Sequence, residues 1–146
     1  FDLKYVDSDG KEQTPVVLHR AILGSLDRFM AYMIEETKGK FPVWLAPLQV
    51  KVLPVSEKTM DYARQVNQAL EDANILTQLD ERSEKIGYKI REARQIDRAP
   101  YMLILGAKEA EEGTISVRNR DTDETTVMKL DEFIAKVHHE IETRAR

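Results

Sequence analysis

The sequence contains no cysteine. Disulfides, a thiolate nucleophile and cysteine-ligated zinc are therefore excluded within this chain, a composition that fits a cytosolic protein. No apolar run approaches the roughly 18 residues needed to cross a bilayer as a helix, and no stretch has the order of a secretory signal, so no membrane partner is expected. Glycine is scarce, at 6 residues. No glycine-rich phosphate loop, G-x-S-x-G elbow, Walker loop or H-E-x-x-H motif is present, so catalytic machinery complete within the chain is not evident. The 3 histidines do not cluster with other ligand types. His138 and His139 are adjacent, and adjacent positions on a helix cannot share a face for chelation.

What is present is enough for one compact domain and a small appendage: 146 residues, 42% hydrophobic and 33% charged, with a formal net charge of −4. The start at Phe1 rather than at a methionine is expected of a processed chain or a piece of a longer one. Positive charge is concentrated locally. Between Arg82 and Arg98 six cations, Arg82, Lys85, Lys89, Arg91, Arg94 and Arg98, face three anions, Glu84, Glu92 and Asp97. Within the same stretch Ile86, Ile90, Ala93 and Ile96 keep helical spacing, and the apolar run from Tyr101 to Leu105 follows. This predicts a basic helix feeding a buried strand. On the helix alone a solvated face is the simpler reading, and a patch for a polyanion is the functional one.

Taken in order, Phe1 to Val6, the turn residues Asp7 to Gly10 and the apolar run Val16 to His19 predict a β-hairpin. Leu26, Phe29, Met30, Met33 and Ile34 predict a helix with Ser25 as N-cap, stopped by Gly39 and Pro42. A domain boundary is placed there, dividing residues 1–40 from 41–146. Beyond it, a strand over Leu48 to Val55 precedes a helix capped by Ser56, with Met60, Ala63, Val66, Leu70 and Ala73 on one stripe. A short strand over Ile75 to Leu79, the basic helix and the strand ending at Leu105 complete β-α-β-α-β. Glu111 to Gly113 reads as a turn, Thr114 to Arg118 as a fourth strand, Asp121 to Glu124 as another turn and Thr125 to Lys129 as a fifth strand. A last helix follows, capped by Asp131 with Leu130 as a hydrophobic staple, and burying Phe133, Ile134, Val137 and Ile141. The expectation is an α/β domain, β-α-β-α-β-β-β-α, with a mixed five-stranded sheet flanked by helices, preceded by the hairpin and helix.

The eleven residues from His19 to Phe29, HRAILGSLDRF, are the most informative. A strand ending in small residues and opening into a helix with Arg28 in its first turn sets a guanidinium beside a backbone-rich concavity, suited to a nucleotide's phosphates. This segment resembles motif 3 of the class II aminoacyl-tRNA synthetases. With His19 ahead of it, FPVWLAPLQVKVLPV after it, and then EKIGYKIRE and APYMLILGAKE, the resemblance sharpens to the threonyl-tRNA synthetases and covers essentially the whole chain.

The resemblance implies a C-terminal fragment holding motif 3 and the anticodon-binding domain of a threonine–tRNA ligase, bound to threonine tRNA through its anticodon stem-loop. Arg28 is implied to grip ATP, and Ser25 and Gly24 to line the aminoacyl-adenylate pocket. His19 is implied to be one of three ligands of a zinc ion that selects threonine, the other two lying upstream. ATP-Mg and zinc belong to the full-length enzyme, a homodimer through its catalytic domain, and none is expected on this fragment, which is expected to be inactive alone. Asp27 stands where the motif more often has Glu. Glu109 and Arg118 are implied to read the second and third anticodon bases. Lys85, Lys89 and Arg91 are implied to hold the stem backbone, and Ser83, where a bacterial relative has Asn, is grouped with them. A rival reading is a non-catalytic synthetase-like regulator or accessory subunit that binds RNA or protein. Residues 1 to about 40 are expected to pack back on the anticodon domain or to expose an apolar face that promotes association.

Overall fold

In the computed structural model residues 2–145 are described. The chain divides into two compact units, one ending at Tyr32 and the other beginning at Met33.

The first unit contains a small antiparallel hairpin, β1 (Tyr5–Val6) and β2 (Glu12–Gln13), with Val6 opposite Glu12. Asp7 organises its turn. Oδ1 accepts the N–H groups of Asp9 and Lys11, each at 2.9 Å, and Oδ2 accepts the Gln13 side-chain amide at 3.0 Å. The returning strand is thus earlier and shorter than expected, and Val16 to His19 form no strand. The reason is local: the turn starts pairing at Glu12, and Pro15, which has no N–H to give a ladder, ends it. Gly24 (φ 68°) and Ser25 lead into α1 (Leu26–Thr37), where the Ser25 carbonyl accepts the Phe29 N–H at 3.0 Å. The helix ends as anticipated at Gly39, whose φ is 70° and whose N–H reaches back to the Ile34 carbonyl at 2.9 Å.

The second unit is built on a five-stranded sheet of order β4-β3-β5-β6-β7. The strands are β3 (Val50–Pro54), β4 (Thr77–Leu79), β5 (Tyr101–Leu105), β6 (Ile115–Asn119) and β7 (Thr125–Met128). β3 lies parallel to both β4 and β5, whereas β5–β6 and β6–β7 are antiparallel. Long helical crossovers join the parallel strands and shorter connections the antiparallel strands, as chain geometry requires. The helices are α2 (Met60–Asp72), α3 (Ile86–Gln95), α4 (Ala107–Glu112) and α5 (Leu130–Thr143). Ser56 stands at the N-cap of a 3₁₀ turn, Glu57–Thr59, that runs into α2.

Three details differ from the sequence reading. Residues 111–113 do not make a bare turn: α4 is a helix, closed at its start by the Gly106 N–H on the Glu109 carboxylate and at its end by Gly113 with φ 64°. The strand at 48–55 is confined to Val50–Pro54; just before it the buried Gln49 side chain donates to the Val43 carbonyl at 3.0 Å and accepts the Leu76 N–H at 2.9 Å. Asp131 is not the cap of α5. Lys129 holds that position, its N–H donating to the Glu132 carboxylate at 3.4 Å, so Asp131 falls in the first turn.

One sheet face carries the main core. Val50, Val52, Tyr101, Leu103, Leu105, Ile115 and Val117 meet Ala63, Val66 and Leu70 of α2 and Phe133 and Val137 of α5. Phe133 is fully buried edge-on to Tyr101, ring centroids 5.4 Å apart, and such a side chain stabilises the fold by about 1.5–3 kcal/mol. The opposite face is covered only in part: Leu53 and Met102 pack with Ala93 of α3, flanked by Ile86 and Ile90.

Candidate nucleic-acid interface

Strand alternation decides what the uncovered part of that second face displays. On β6, Ile115 and Val117 enter the main core, so Ser116 and Arg118 face the other way. Register sets Ser116 between Ile104 and Val127, and Arg118 between Met102 and Thr125. Val127 is 58% exposed, so the β6–β7 part of this face is open to solvent.

Glu109 enters the face from α4. Its Oε2 accepts the Gly106 N–H at 2.9 Å and its Oε1 accepts the Ser116 hydroxyl at 2.7 Å. These hydrogen bonds, that from Ser116 foremost, hold its carboxyl below the ordinary carboxylate range and keep it ionised. The side chain is half-buried, a fixed carboxylate at the rim of the face. Arg118, 28% exposed, directs Nε and Nη2 to Asp123 Oδ1 at 2.9 and 2.8 Å. Arg94, in the last turn of α3, reaches the same oxygen with Nη1 at 3.1 Å. Sequence reasoning gave neither Arg94 nor Asp123 a specific role. Their only sequence signal is opposite charge on two segments far apart in the chain, which spacing cannot connect.

The cations of residues 82–98 are spent in different ways. Lys85, at the N-cap position of α3, and Arg91 are exposed and make no ion pair among the described residues, and Ser83 is exposed in the connection before them. Arg82 forks onto the buried Asp80 carboxylate at 2.9 and 2.7 Å and also meets Glu92 at 2.8 Å. The paired guanidinium holds the Asp80 carboxyl below its usual range, and both carboxylates push the Arg82 pKa up. Arg98 gives its guanidinium to the Lys38 and Gln95 carbonyls.

Lys89 departs from the expected surface contact. It is 3% exposed, and its ammonium donates to the Asp80 carbonyl at 3.0 Å and the Pro54 carbonyl at 3.4 Å. Its place on α3 explains this: three residues after Ile86 and four before Ala93, it lies on the sheet-facing stripe. It joins α3 to the ends of β3 and β4 instead of facing a ligand.

In the first unit, His19, Gly24, Ser25 and Arg28 are all exposed, Arg28 in the first turn of α1. Among the described residues no group of three or more His, Asp or Glu side chains is placed to hold a metal ion. His19 offers one imidazole, and this chain's residues alone do not make up a metal site. In the second unit two shallow concavities lie away from Glu109 and Arg118, one lined by Phe41, Ala46, Ile96 and Arg98, the other by Leu48, Glu71, Asn74 and Leu76.

An ionised carboxylate and arginines on an open sheet face, beside exposed cations at the start of a helix, suit the edges of unstacked bases and the phosphates between them. Comparison with known proteins points the same way. Residues 49–140 match the family described as an anticodon binding domain. The chain is 53% identical over 144 residues to the threonine–tRNA ligase of Clostridioides difficile (strain 630), an alignment covering 99% of this chain and 22% of that protein. It is 50% identical over 145 residues to the threonine–tRNA ligase of Caldanaerobacter subterraneus subsp. tengcongensis, with the same coverage. The chain thus spans 22% of the length of these curated relatives. Among solved structures, the RNA binding domain of threonyl-tRNA synthetase from Cryptosporidium parvum Iowa II is similar at a TM-score of 0.78 and 37% identity, over 94% of this chain and 35% of that one. Prolyl-tRNA synthetase from Cryptosporidium parvum shares the fold, with a TM-score of 0.63 at 22% identity over 70% of this chain and 22% of that one.

Proposed function

The chain belongs to the anticodon binding domain family, and from that premise we propose that it is the C-terminal part of a threonine–tRNA ligase, binding the anticodon stem-loop of threonine tRNA on the open sheet face. The observation that carries this reading is the position of Glu109 and Arg118 on one uncovered face, in a chain about half identical to threonine–tRNA ligases along nearly its whole length. Threonine anticodons have G then U at the second and third positions. The Glu109 carboxylate is a pure acceptor suited to guanine's N1–H and N2 amino donors, and Arg118 can donate to uracil carbonyls and stack on a splayed base. Lys85, Arg91 and Ser83 serve the stem backbone, and Lys89 acts behind them by holding α3 in place.

On this reading residues 1–40 are the end of the catalytic domain and residues 41–146 the anticodon-binding domain. Activation of threonine with ATP-Mg, and its transfer to tRNA, are assigned to the longer protein, a cytoplasmic homodimer through its catalytic domain. There Arg28 faces ATP and Ser25 and Gly24 line the adenylate pocket. His19 contributes one imidazole to a zinc site whose other ligands come from elsewhere; a zinc ion there would bind the threonine amino and hydroxyl groups. Nothing in the comparisons favours a non-catalytic regulator.

The test is a binding titration at one fixed salt concentration with threonine tRNA and with the same tRNA carrying A for the middle G of the anticodon. Selective weakening by that change, abolished by Glu109→Gln, is expected. Equal, strongly salt-dependent binding to both RNAs would show phosphate contact without base reading and remove Glu109 from its role.

A further inference from the structure

Arg94 and Arg118 come from different elements, the end of α3 and the last part of β6, yet both guanidiniums meet a single oxygen, Asp123 Oδ1: Arg118 donates two hydrogen bonds at 2.9 and 2.8 Å, and Arg94 Nη1 forms an ion pair at 3.1 Å. Two guanidiniums share one carboxylate, leaving one net positive charge. Each carries five donors, so most of them remain directed elsewhere. The site is not sealed: Arg94 and Asp123 are both 41% exposed and Arg118 is 28% exposed. Asp123 is brought there by its own loop. Its φ is 63°, its N–H donates to the Asn119 carbonyl at 3.1 Å, and the Asn119 side chain accepts the N–H groups of Asp121 and Thr122 at 2.8 and 3.1 Å. The other nearby acid, Asp121, is already forked onto the buried Arg120 and does not compete.

We propose that Arg94 and Arg118 form a phosphate clasp for the RNA loop, and that Asp123 is an internal anion which a backbone phosphate of the bound loop displaces. This rests on the anticodon-binding reading and deepens it by adding a contact site. A backbone phosphodiester offers two non-bridging oxygens to two planar forks, a better match than one shared carboxylate oxygen. The Asp123 carboxyl is held below its ordinary range by Arg118 and then Arg94, so it is ionised wherever RNA is bound at neutral pH. Every RNA must therefore displace it, whatever its anticodon. The cost of displacing Asp123 is common to all loops, so it lowers affinity without altering discrimination.

The experiment uses the 146-residue chain with two anticodon stem-loops, one with a threonine anticodon and one with its middle G changed to A, titrated across a salt series. Asp123→Asn keeps a residue type at home at positive φ and removes the charge. It is expected to tighten binding of both loops by roughly 3- to 10-fold and by similar factors, leaving discrimination unchanged. Arg94→Gln is expected to weaken binding, to lower the slope of log affinity against log salt by about 0.7–0.9, and to abolish the gain from Asp123→Asn in the double variant. Unchanged or weaker binding by Asp123→Asn, or an unchanged slope in Arg94→Gln, overturns the clasp. Should Asp123→Asn fail to fold, the Arg94→Gln slope decides alone. Failure of the wild-type chain to distinguish the two loops removes the anticodon reading, and the clasp with it. Discrimination by wild type with no response to either variant removes the clasp only.

Discussion

A lysine that is 3% exposed persists only where its ammonium is well partnered. Lys89 meets that condition through the Asp80 and Pro54 carbonyls, with the Asp80 carboxylate close enough to be stabilised by its charge. Lys85, one turn earlier, stands exposed at the start of the same helix. The two lysines therefore respond differently to the same substitution. Lys89→Met leaves two buried carbonyls without a donor and is expected to cost about 1–3 kcal/mol in guanidinium chloride unfolding, with no change in the salt slope of tRNA binding. Lys85→Met is expected to stay within about 0.5 kcal/mol of the parent in stability and to reduce that slope by about 0.7–0.9. A lowered slope with intact stability in Lys89→Met would return it to the RNA surface.

At the scale of elements, α4 shows how a structural and a binding role are combined in one side chain. A six-residue helix has too few internal bonds to stand alone. Glu109 supplies its N-terminal hydrogen bond through Gly106 and ties it to β6 through Ser116. Glu109→Ala is expected to destabilise the domain by about 1–2 kcal/mol as read by thermal or denaturant unfolding, whereas Glu109→Gln, which keeps an oxygen acceptor, is expected to cost less than half of that. Equal loss from both would mean that charge at this position, rather than the cap, carries the stability. This double use also explains what the sequence disclosed. The apolar runs of β3 and β5 and the stripes of α2 and α5 were legible because burial on a whole face imposes a period. α4 was not, since AKEAEE carries no apolar stripe and its start depends on one carboxylate. β2 was misplaced because the apolar residues after Pro15 outweighed the turn chemistry of Asp7 that sets the register. Glu109 and Arg118 were named by resemblance and not by pattern. Asp123 was given only a turn position, because its partners lie in α3 and β6. Lys89 was read as a surface charge because helical spacing marks a stripe, not which cation on its border turns inward.

For the whole molecule, burial is divided unequally. Among the described residues the buried apolar core begins at Val43, and no residue before it is buried. Within eleven residues of the first unit, by contrast, Val16, Leu18, Ile22 and Leu26 are 88%, 88%, 79% and 70% exposed, and none of the residues of α1 is buried. A two-residue-per-strand hairpin has no core of its own to compensate, and apolar surface displayed in this way favours association. The stability of the anticodon unit should therefore be independent of the first 32 residues, while the solution behaviour of the chain should depend on them. A shortened chain beginning at Met33 is expected to unfold cooperatively with a free energy within about 0.5 kcal/mol of the full chain. In sedimentation velocity the 146-residue chain should show concentration-dependent association that the shortened chain lacks. Loss of more than about 2 kcal/mol on shortening would assign part of the core's support to the first unit, since damage of that size requires buried contacts to be removed. A monomeric full chain at every concentration would show that the exposed run from Val16 to Leu26 is too dispersed to act as one surface. Together the two readouts separate what the first unit contributes to folding from what it presents to a partner.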